Sequence, residues 1–491
     1  MDSASSFRLT HISDLHFSSG SDQSKDHHTH SIKHLQGLQQ SITATDDMDI
    51  LVVSGDISNK GDSQSLIMAN GWLFKSIPIG GGEHTGLGLE ERRLGIVPGN
   101  HDAWNAGSDH GSLLDRRQRS IENYNFAFPQ HAMPESGCNF AWIEKGGAGL
   151  YIAFVDSCFL GDTDDGSESP FGVLRYDALA KGKLTVRQTE KLLEWHDSGM
   201  HGNLVPPGRD EAIAKETFAK SLKILVMHHY LFEPPEKKSD YFMRIQHRDI
   251  VFQNIALSDF DVLLCGHKHV PSFGVHDYGD HFDKRAVERH MLNYFRRLIG
   301  LESLPIQFVN ESGQYVGKSI GRLVQIIAAA FKRKRSSSGE GPAVDHDELA
   351  DQVFRMLLAG LEKPEELRRN VERLVRDLGE AGASALEPDE LKRIQKRIST
   401  ALSMADRKRL RAVADEVTKI AQRLKSRAFV QIMSGSSAKM PSHREQGRSY
   451  HTYDISQMDG HWQLVCQRFD WNGSTFRANS APRQHAFPSK L

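Results

Sequence analysis

Short apolar segments alternate with polar segments of helical spacing between residues 7 and 284, and this alternation limits the fold more than any other feature. Most of the apolar segments end at Gly, Pro, Asn or Asp, as β-strands do. Strands that alternate with helices predict an α/β fold. The expected strands are residues 7–12, 49–53, 94–97, 150–155, 223–227 and 261–264. The expected helices include residues 31–42, 65–76 and 184–198.

The composition changes from residue 285 to residue 425, where Leu, Arg, Glu and Ala replace the glycines and β-branched residues. Apolar side chains recur there every three or four residues, as at Leu410, Val413 and Val417, which is typical of helices that pack along one face. This segment holds 27 Lys and Arg against 20 Asp and Glu, a net charge of +7. It predicts a helical module.

Strand-like patterns return after this helical segment. Residues 429–433 predict another strand, and residues 450–455 and 462–469 predict a hairpin. We therefore expect one domain, 7–284 plus 426–480, that is interrupted by an inserted helical module, 285–425. The alternative of three consecutive domains stays open.

The composition argues against several classes of protein. Among 491 residues, 61 Lys and Arg against 63 Asp and Glu do not suit a generally basic nucleic-acid coat or an acidic tail. The longest apolar run, 324–331, is far shorter than the ~18–20 residues of a membrane span. The N-terminus lacks the regions of a secretory signal, and the four cysteines form no CxxC pair. We expect a cytoplasmic protein with reduced thiols and no membrane span.

Polar motifs follow five of the expected strands. Because strands of an open α/β sheet present ligand-binding residues at their carboxyl ends, we expect these motifs to meet in one crevice. Carboxylates, neutral imidazoles and an amide oxygen form a ligand set that suits two divalent transition-metal ions. The motifs are Asp14-Leu15-His16, Gly55-Asp56, Gly99-Asn100-His101-Asp102, His228-His229 and Gly266-His267-Lys268-His269.

The spacing within these motifs suggests how they bind. Alternate residues of an extended segment point the same way, so we expect Asp14 and His16 to reach one ion. His267 and His269 either repeat this arrangement or divide between two ions where the backbone turns. Asp56 follows a glycine at a strand end and is the natural candidate to bridge two cations, which about 3.5–4 Å apart can clamp a phosphate.

The ordered series D-x-H, G-D, G-N-H-D, H and G-H-x-H resembles that of the calcineurin-like metallophosphoesterase superfamily. The resemblance covers about residues 7–283 and, less specifically, 426–480. It implies a β-sandwich flanked by helices, in αββα layers, with a dimetal site between the strand ends. The run Gly55-Asp56-Ile57-Ser58-Asn59-Lys60-Gly61 is similar to the class III cyclic-nucleotide phosphodiesterase branch.

The resemblance also implies a role for each residue. Asp14, His16, Asp56 and His269 would hold one metal, and Asp56, Asn100, His228 and His267 would hold the other. His101 would face the substrate and bind the phosphate or protonate the leaving oxygen. His16 and Asp56 would also lie close to the reaction. We expect Asp102 to orient His101 or a group behind it, or only to shape the turn after Asn100. We expect His229 to lie behind the ligands or face solvent.

These observations predict a metal-dependent phosphoesterase that hydrolyses a phosphodiester, a cyclic nucleotide or related small diester, by a metal-bridged hydroxide. Mn²⁺ is the first choice for both ions, with Fe and Zn left open. A phosphomonoesterase or a nuclease with the same site is one alternative, although nucleic acid is not the favoured substrate. A catalytically silent binding scaffold is another. The helical module would serve as a lid, a dimerisation element or a protein-binding element.

Overall fold

The computed structural model describes residues 5–18, 25–44, 47–80, 83–104, 113–158, 184–200, 210–233, 245, 251–252, 255, 259–278, 427–437, 448–479 and 481–488. Contacts between residues divide the chain into two units, Met1–Asp277 with Arg427–Leu491, and Tyr278–Ser426. Nearly all described residues belong to the first unit. The expected helical module, 285–425, lies outside the described residues and stays a prediction.

The helices of the described residues are α1 (Lys25–Thr43), α2 (Ser63–Phe74), α3 (Asn100–Trp104), α4 (Leu113–Ala127), α5 (Val186–Met200) and α6 (Glu211–Lys220). Side-chain caps fix where two of them begin. The carboxylate of Asp62 accepts from Ser65 N at 2.9 Å before α2, and that of Asp210 accepts from Ala212 N at 2.8 Å before α6. Such caps satisfy amide groups that have no partner within the first helical turn.

The strands are β1 (Ser5–Ile12), β2 (Ile50–Ser54), β3 (Ile77–Gly80), β4 (Glu83–Thr85), β5 (Leu94–Val97), β6 (Cys138–Lys145), β7 (Ala148–Val155), β8 (Leu222–Val226), β9 (Val262–Cys265), β10 (Ser272–Asp277), β11 (Ala428–Met433), β12 (Ser449–Met458), β13 (His461–Trp471), β14 (Phe476–Ala478) and β15 (Arg483–Phe487). Each of the six strands expected before residue 284 is present within two residues of its expected ends.

Two mixed sheets contain all but the β3–β4 hairpin among the described strands. Sheet one has the order β14-β13-β12-β1-β2-β5, with β15 also paired to β13, and β1, β2 and β5 are parallel. Sheet two has the order β10-β11-β9-β8-β7-β6, in which β7, β8, β9 and β11 are parallel. Parallel strands place their carboxyl ends at one edge of each sheet, where ligands bind.

The two sheets pack face to face over one apolar core. Val52 and Ile96 of sheet one and Ile152 and Leu264 of sheet two belong to the same buried cluster. Helix α1 contacts β14 of sheet one, whereas α5 contacts β6 and α6 contacts β7 of sheet two. This arrangement confirms the expected α/β sandwich flanked by helices.

The C-terminal strands belong to both sheets. Strand β11 pairs with β10 and β9 in sheet two, and β12 pairs with β1 in sheet one. The described strands on either side of residues 285–425 therefore share the same two sheets.

Two expectations from composition concern the chain as a whole. The four cysteines are buried and form no disulfide within the described residues. No helix in the described part of the chain has the length and apolar character that crossing a membrane requires.

Candidate metal centre

The structure brings the expected ligands together where β1, β2, β5, β8 and β9 end. Their side chains form two clusters that share Asp56, and we call these clusters group A and group B. Group A consists of Asp14, His16, Asp56 and His269. Group B consists of Asp56, Asn100, His228 and His267.

Group A places one ligand atom from each residue within 4.8 Å of all the others. His269 Nε2 lies 3.0 Å from Asp14 Oδ1, and His16 Nε2 lies 3.6 Å from Asp56 Oδ2. Asp14, His16 and Asp56 are buried, and His269 is partly exposed. Two carboxylates and two imidazoles at these distances suit one divalent cation.

Group B is centred on the amide oxygen of Asn100. This oxygen lies 2.9 Å from both His228 Nε2 and His267 Nδ1, and those two nitrogens are 3.1 Å apart. His228 Nε2 is also 3.3 Å from Asp56 Oδ1. Asp56 therefore directs Oδ1 at group B and Oδ2 at group A, an arrangement in which one carboxylate can serve two cations.

The carboxylate of Asp14 provides a test of whether a cation fits group A. Both of its oxygens are buried. Although His269 Nε2 lies 3.0 Å from Oδ1, neither oxygen accepts a well-aligned hydrogen bond from the residues that the structure describes. A buried carboxylate that accepts no hydrogen bond is costly unless a positive charge lies beside it. A divalent cation would supply that charge, so the residues of group A fit a metal ion.

The ligand-bearing loops have a left-handed backbone, which corrects the expectation of an extended Asp14-x-His16 segment. The φ angles are 55° at Asp14 and 51° at His16, and His267 and His269 have φ angles of 74° and 56°. Strand β1 ends at Ile12, so the side chains converge because the backbone turns. Non-glycine residues in this region cost about 1–3 kcal/mol each and cluster at functional sites.

Backbone hydrogen bonds hold these turns against each other. Asp14 N donates to Gly55 O at 3.1 Å, and His16 N donates to Asp56 O at 2.9 Å. Gly55 itself has a φ of 98°, and a Cβ there would lie 2.5 Å from His228 Nδ1. Only glycine allows this close approach, as the strand-end motif predicts.

The tautomer of His228 suits metal binding. Its Nδ1 lies 2.8 Å from Ser54 O, and since a carbonyl only accepts, Nδ1 carries the proton and Nε2 faces group B. Burial lowers the pKa of His228, but Asp56 and Asp14 outweigh it and raise the value to about 9. A cation at Nε2 must therefore displace a proton.

The other titratable ligands of group B are already in their binding forms. Burial and the neighbouring His228 lower the pKa of His267 to about 3, so its imidazole is neutral. Burial would raise the pKa of Asp56, but His228, His101 and His16 hold it well below its ordinary value. Asp56 is therefore an ionised carboxylate.

His101 lies beside both groups without belonging to either. Its backbone N donates to Asp56 Oδ1 at 2.9 Å, and its ring Nδ1 donates to Asn59 O at 3.0 Å. The ring stands edge-on to His16, with centroids 4.7 Å apart. The hydrogen bond from Nδ1 and the ring contact with His16 thus hold the half-buried imidazole next to the candidate centre.

Asp102 does not orient His101, which corrects one of the expectations for it. Its carboxylate accepts from Ile57 N at 3.0 Å, Ser58 N at 2.7 Å and Gly99 N at 2.8 Å. Burial and the charge of Asp56 raise its pKa to about 6. Asp102 therefore ties the loop after Asp56 to the turn before Asn100.

His229 is buried, so the solvent-facing alternative is wrong for this residue. Its ring Nδ1 lies 2.8 Å from Ser157 Oγ, and its backbone N donates to the same oxygen at 3.2 Å. Its ring centroid is 4.4 Å from that of His267. His229 therefore packs behind a residue of group B.

Sequence reasoning missed residues of the C-terminal segment that support the ligand loops. Ser436 Oγ donates to Asp14 O at 3.1 Å, and Ser13 N donates to Ser437 Oγ at 3.2 Å. The one signal for them is a Ser-Gly-Ser-Ser run directly after an expected strand. That signal indicates a turn and does not indicate which loop the turn contacts.

Comparison with known proteins agrees with this geometry. The family model described as calcineurin-like phosphoesterase matches residues 7–271. No curated protein matches the chain. Because the matched residues make up more than half of the sequence and include every member of groups A and B, the chain belongs to the calcineurin-like phosphoesterase family.

Proposed function

We propose that this protein is a metal-dependent phosphoesterase that hydrolyses a phosphodiester, a cyclic nucleotide or related small diester, at groups A and B. The position of Asp56 carries the proposal. Its two oxygens face different ligand groups, at 3.6 Å from His16 Nε2 and 3.3 Å from His228 Nε2. A carboxylate shared in this way suits two neighbouring cations better than one.

Group A and group B would each hold one divalent ion, for which Mn²⁺ is our first choice, ahead of Fe and Zn. Carboxylate and amide oxygens together with imidazole nitrogens suit Mn²⁺. Two such ions would supply Lewis acidity, which lowers the pKa of a bound water to about 7 and neutralises phosphate charge.

His101 is the residue that we assign to proton transfer. Its Nδ1 donates a hydrogen bond to Asn59 O. The other ring nitrogen, Nε2, is therefore the atom that would protonate the leaving oxygen or contact the phosphate. The edge-on contact with His16 restrains the ring. His16 and Asp56 would border the reacting atoms while they hold the ions.

The choice of a diester rests on the loop next to His101. Asn59, whose carbonyl holds His101, lies in the run 55–61 that is similar to the cyclic-nucleotide phosphodiesterase branch. A phosphomonoesterase and a nuclease would use the same ligands, so substrates must separate these activities.

A substrate screen tests the proposal. Metal-stripped protein is reloaded with Mn²⁺ and assayed on a cyclic nucleotide, bis-p-nitrophenyl phosphate, p-nitrophenyl phosphate and single-stranded DNA, with Asp56→Asn as the inactive control. We expect faster hydrolysis of the two small diesters than of the monoester. Preference for the monoester or for DNA would contradict the diesterase proposal. Inactivity of the metal-loaded protein on all four would favour a binding scaffold.

A further inference from the structure

The turn from Gly266 to His269 supplies a ligand to each group, His267 to group B and His269 to group A. Both residues have a left-handed φ, of 74° and 56°. Such a backbone persists only where the surrounding structure holds it in place. The residue between them, Lys268, belongs to neither group and is buried.

The ammonium group of Lys268 is held by the loop that follows His228. Lys268 Nζ lies 2.7 Å from Glu233 Oε2 and 3.3 Å from Tyr230 Oη. Tyr230 Oη in turn lies 3.3 Å from Glu233 Oε1. The two turns that carry His228, His267 and His269 are thus joined by a charged hydrogen bond, which is stronger than a neutral one.

That loop is itself fixed from the C-terminal part of the chain. Gln431 of β11 accepts from Leu231 N and Phe232 N, both at 2.9 Å, and donates to Phe232 O at 2.7 Å. The side chain is buried, and these three bonds define its amide orientation. Strand β11 therefore anchors the backbone next to Glu233.

We propose that Gln431, Glu233 and Lys268, which we call the brace, position His267 and His269 for metal binding. This inference rests on the proposed dimetal centre. The brace residues are positioning residues, because they act through the turn and belong to neither ligand group. A turn that is held before the ions arrive loses less conformational freedom when they bind, which raises the affinity.

A competing role for Lys268 is direct contact with the phosphate of the substrate. That role would require the ammonium group to leave Glu233 and Tyr230. Losing such a contact would raise the KM for the substrate and leave the affinity for Mn²⁺ unchanged. Mn²⁺ titration and steady-state kinetics on each variant therefore distinguish the two roles.

Calorimetric titration of the metal-stripped chain with Mn²⁺ tests the brace. We expect Lys268→Met, Glu233→Gln and Gln431→Leu each to weaken Mn²⁺ binding by about 10–100-fold, as losses behind a metal ligand do. The double variant Lys268→Met/Glu233→Gln should bind Mn²⁺ as weakly as either single variant. Its metal-free form should unfold at a higher temperature than Glu233→Gln, because no buried ammonium is left unpaired.

Asn125→Ala is the matched control. Asn125 also clamps a loop backbone through its amide, accepting from Met133 N at 2.8 Å and donating to Met133 O at 3.2 Å, but that loop carries no ligand. This variant should lose stability and keep its affinity for Mn²⁺.

Folded brace variants with unchanged Mn²⁺ affinity would overturn the proposal, and so would an equal loss of affinity in Asn125→Ala. Raised KM with unchanged Mn²⁺ affinity would place Lys268 on the substrate instead. A wild-type chain that binds Mn²⁺ but hydrolyses no ester would overturn only the proposed function, since the brace is judged by affinity.

Discussion

At the scale of single residues, the candidate centre depends on the two oxygens of Asp56. Each oxygen faces a different ligand group, and the backbone N of His101 also donates to Oδ1. One carboxylate thus connects both groups with the candidate proton donor. Changes at this position should affect metal content and catalysis together, whereas changes at His101 should separate the two.

Asp56→Asn should lose at least one of about two divalent ions per chain, because an amide replaces a bridging carboxylate with a single neutral acceptor. Elemental analysis after dialysis measures the loss. Asp47→Asn, at an exposed carboxylate that pairs with Arg8, is the control and should keep both ions. Full occupancy with full activity in Asp56→Asn would rule out the bridging role.

His101→Ala should keep its ions and lose turnover by ~10²–10⁴-fold, the usual range for a missing acid–base group. The loss should be smaller for nitrophenyl esters, whose leaving group needs no proton, than for alkyl esters. Steady-state kinetics on the two ester types measure the difference. Equal losses would indicate that His101 binds the phosphate and does not donate a proton.

Metal binding should depend on pH through His228. Its pKa of about 9 means that the metal-free chain holds a proton at neutral pH, which the ion must displace. The logarithm of the Mn²⁺ association constant should rise by about one per pH unit from roughly pH 6 to pH 8. Calorimetry in two buffers of different ionisation enthalpy measures the released proton, and a flat profile would contradict this assignment.

At the scale of elements, the ligands are held by bonds between loops more than by the strands that carry them. Asp102 shows this, since its carboxylate accepts three backbone N–H groups from the loops that carry Asp56 and Asn100. Its Oδ1 also accepts from the hydroxyl of Ser58 at 2.8 Å. The loops of β2 and β5 thus form one unit.

Asp102→Ala should therefore destabilise the chain by about 3 kcal/mol or more, because it leaves three buried N–H donors without an acceptor. Asp62→Ala, which removes the cap of α2, is the control and should cost about 1 kcal/mol. Urea unfolding measures both. Mn²⁺ affinity should fall only in Asp102→Ala, and an equal effect of the two changes would contradict the linking role.

The sequence was informative about strands that end in a polar motif and less so elsewhere. Fully buried β2, β5, β8 and β9 are short apolar runs, and their length and the turn residues beside them identify them as strands. Strands β6 and β10 escaped prediction because they lie at the edges of sheet two, where half-exposed side chains give no clear alternation.

The position of the candidate ligands was predicted, but the backbone that delivers them was not. Asp and His residues tolerate a left-handed φ better than most side chains, yet nothing in Asp14-Leu15-His16 distinguishes a turn from an extended segment. The contacts that support the ligand loops could not be predicted either, because they join residues far apart in the sequence. Gln431 lies 200 residues from Leu231, and Ser436 lies 422 residues from Asp14.

At the scale of the molecule, the C-terminal strands occupy interior positions of both sheets. Strand β12 separates β13 from β1, and β11 separates β10 from β9. Arg427, directly before β11, pairs with Asp259 and Asp261, which precede β9. Strands before residue 284 therefore pair with strands after residue 426 in both sheets.

A chain that ends at residue 284 should be insoluble, because it exposes β1 and β9 as unpaired edges. Replacing residues 279–426 by a four-residue Gly/Ser linker should instead leave a folded domain that binds Mn²⁺ like the whole chain. Asp277 and Ala428 are directly opposite partners in an antiparallel pair, so about 4.5–5.5 Å separates their Cα atoms and a hairpin turn can join them. Solubility, circular dichroism and Mn²⁺ calorimetry compare the two variants. A soluble, metal-binding 1–284 fragment would contradict the interrupted domain and support three consecutive domains, because its sheets would then need no strand from the C-terminal segment.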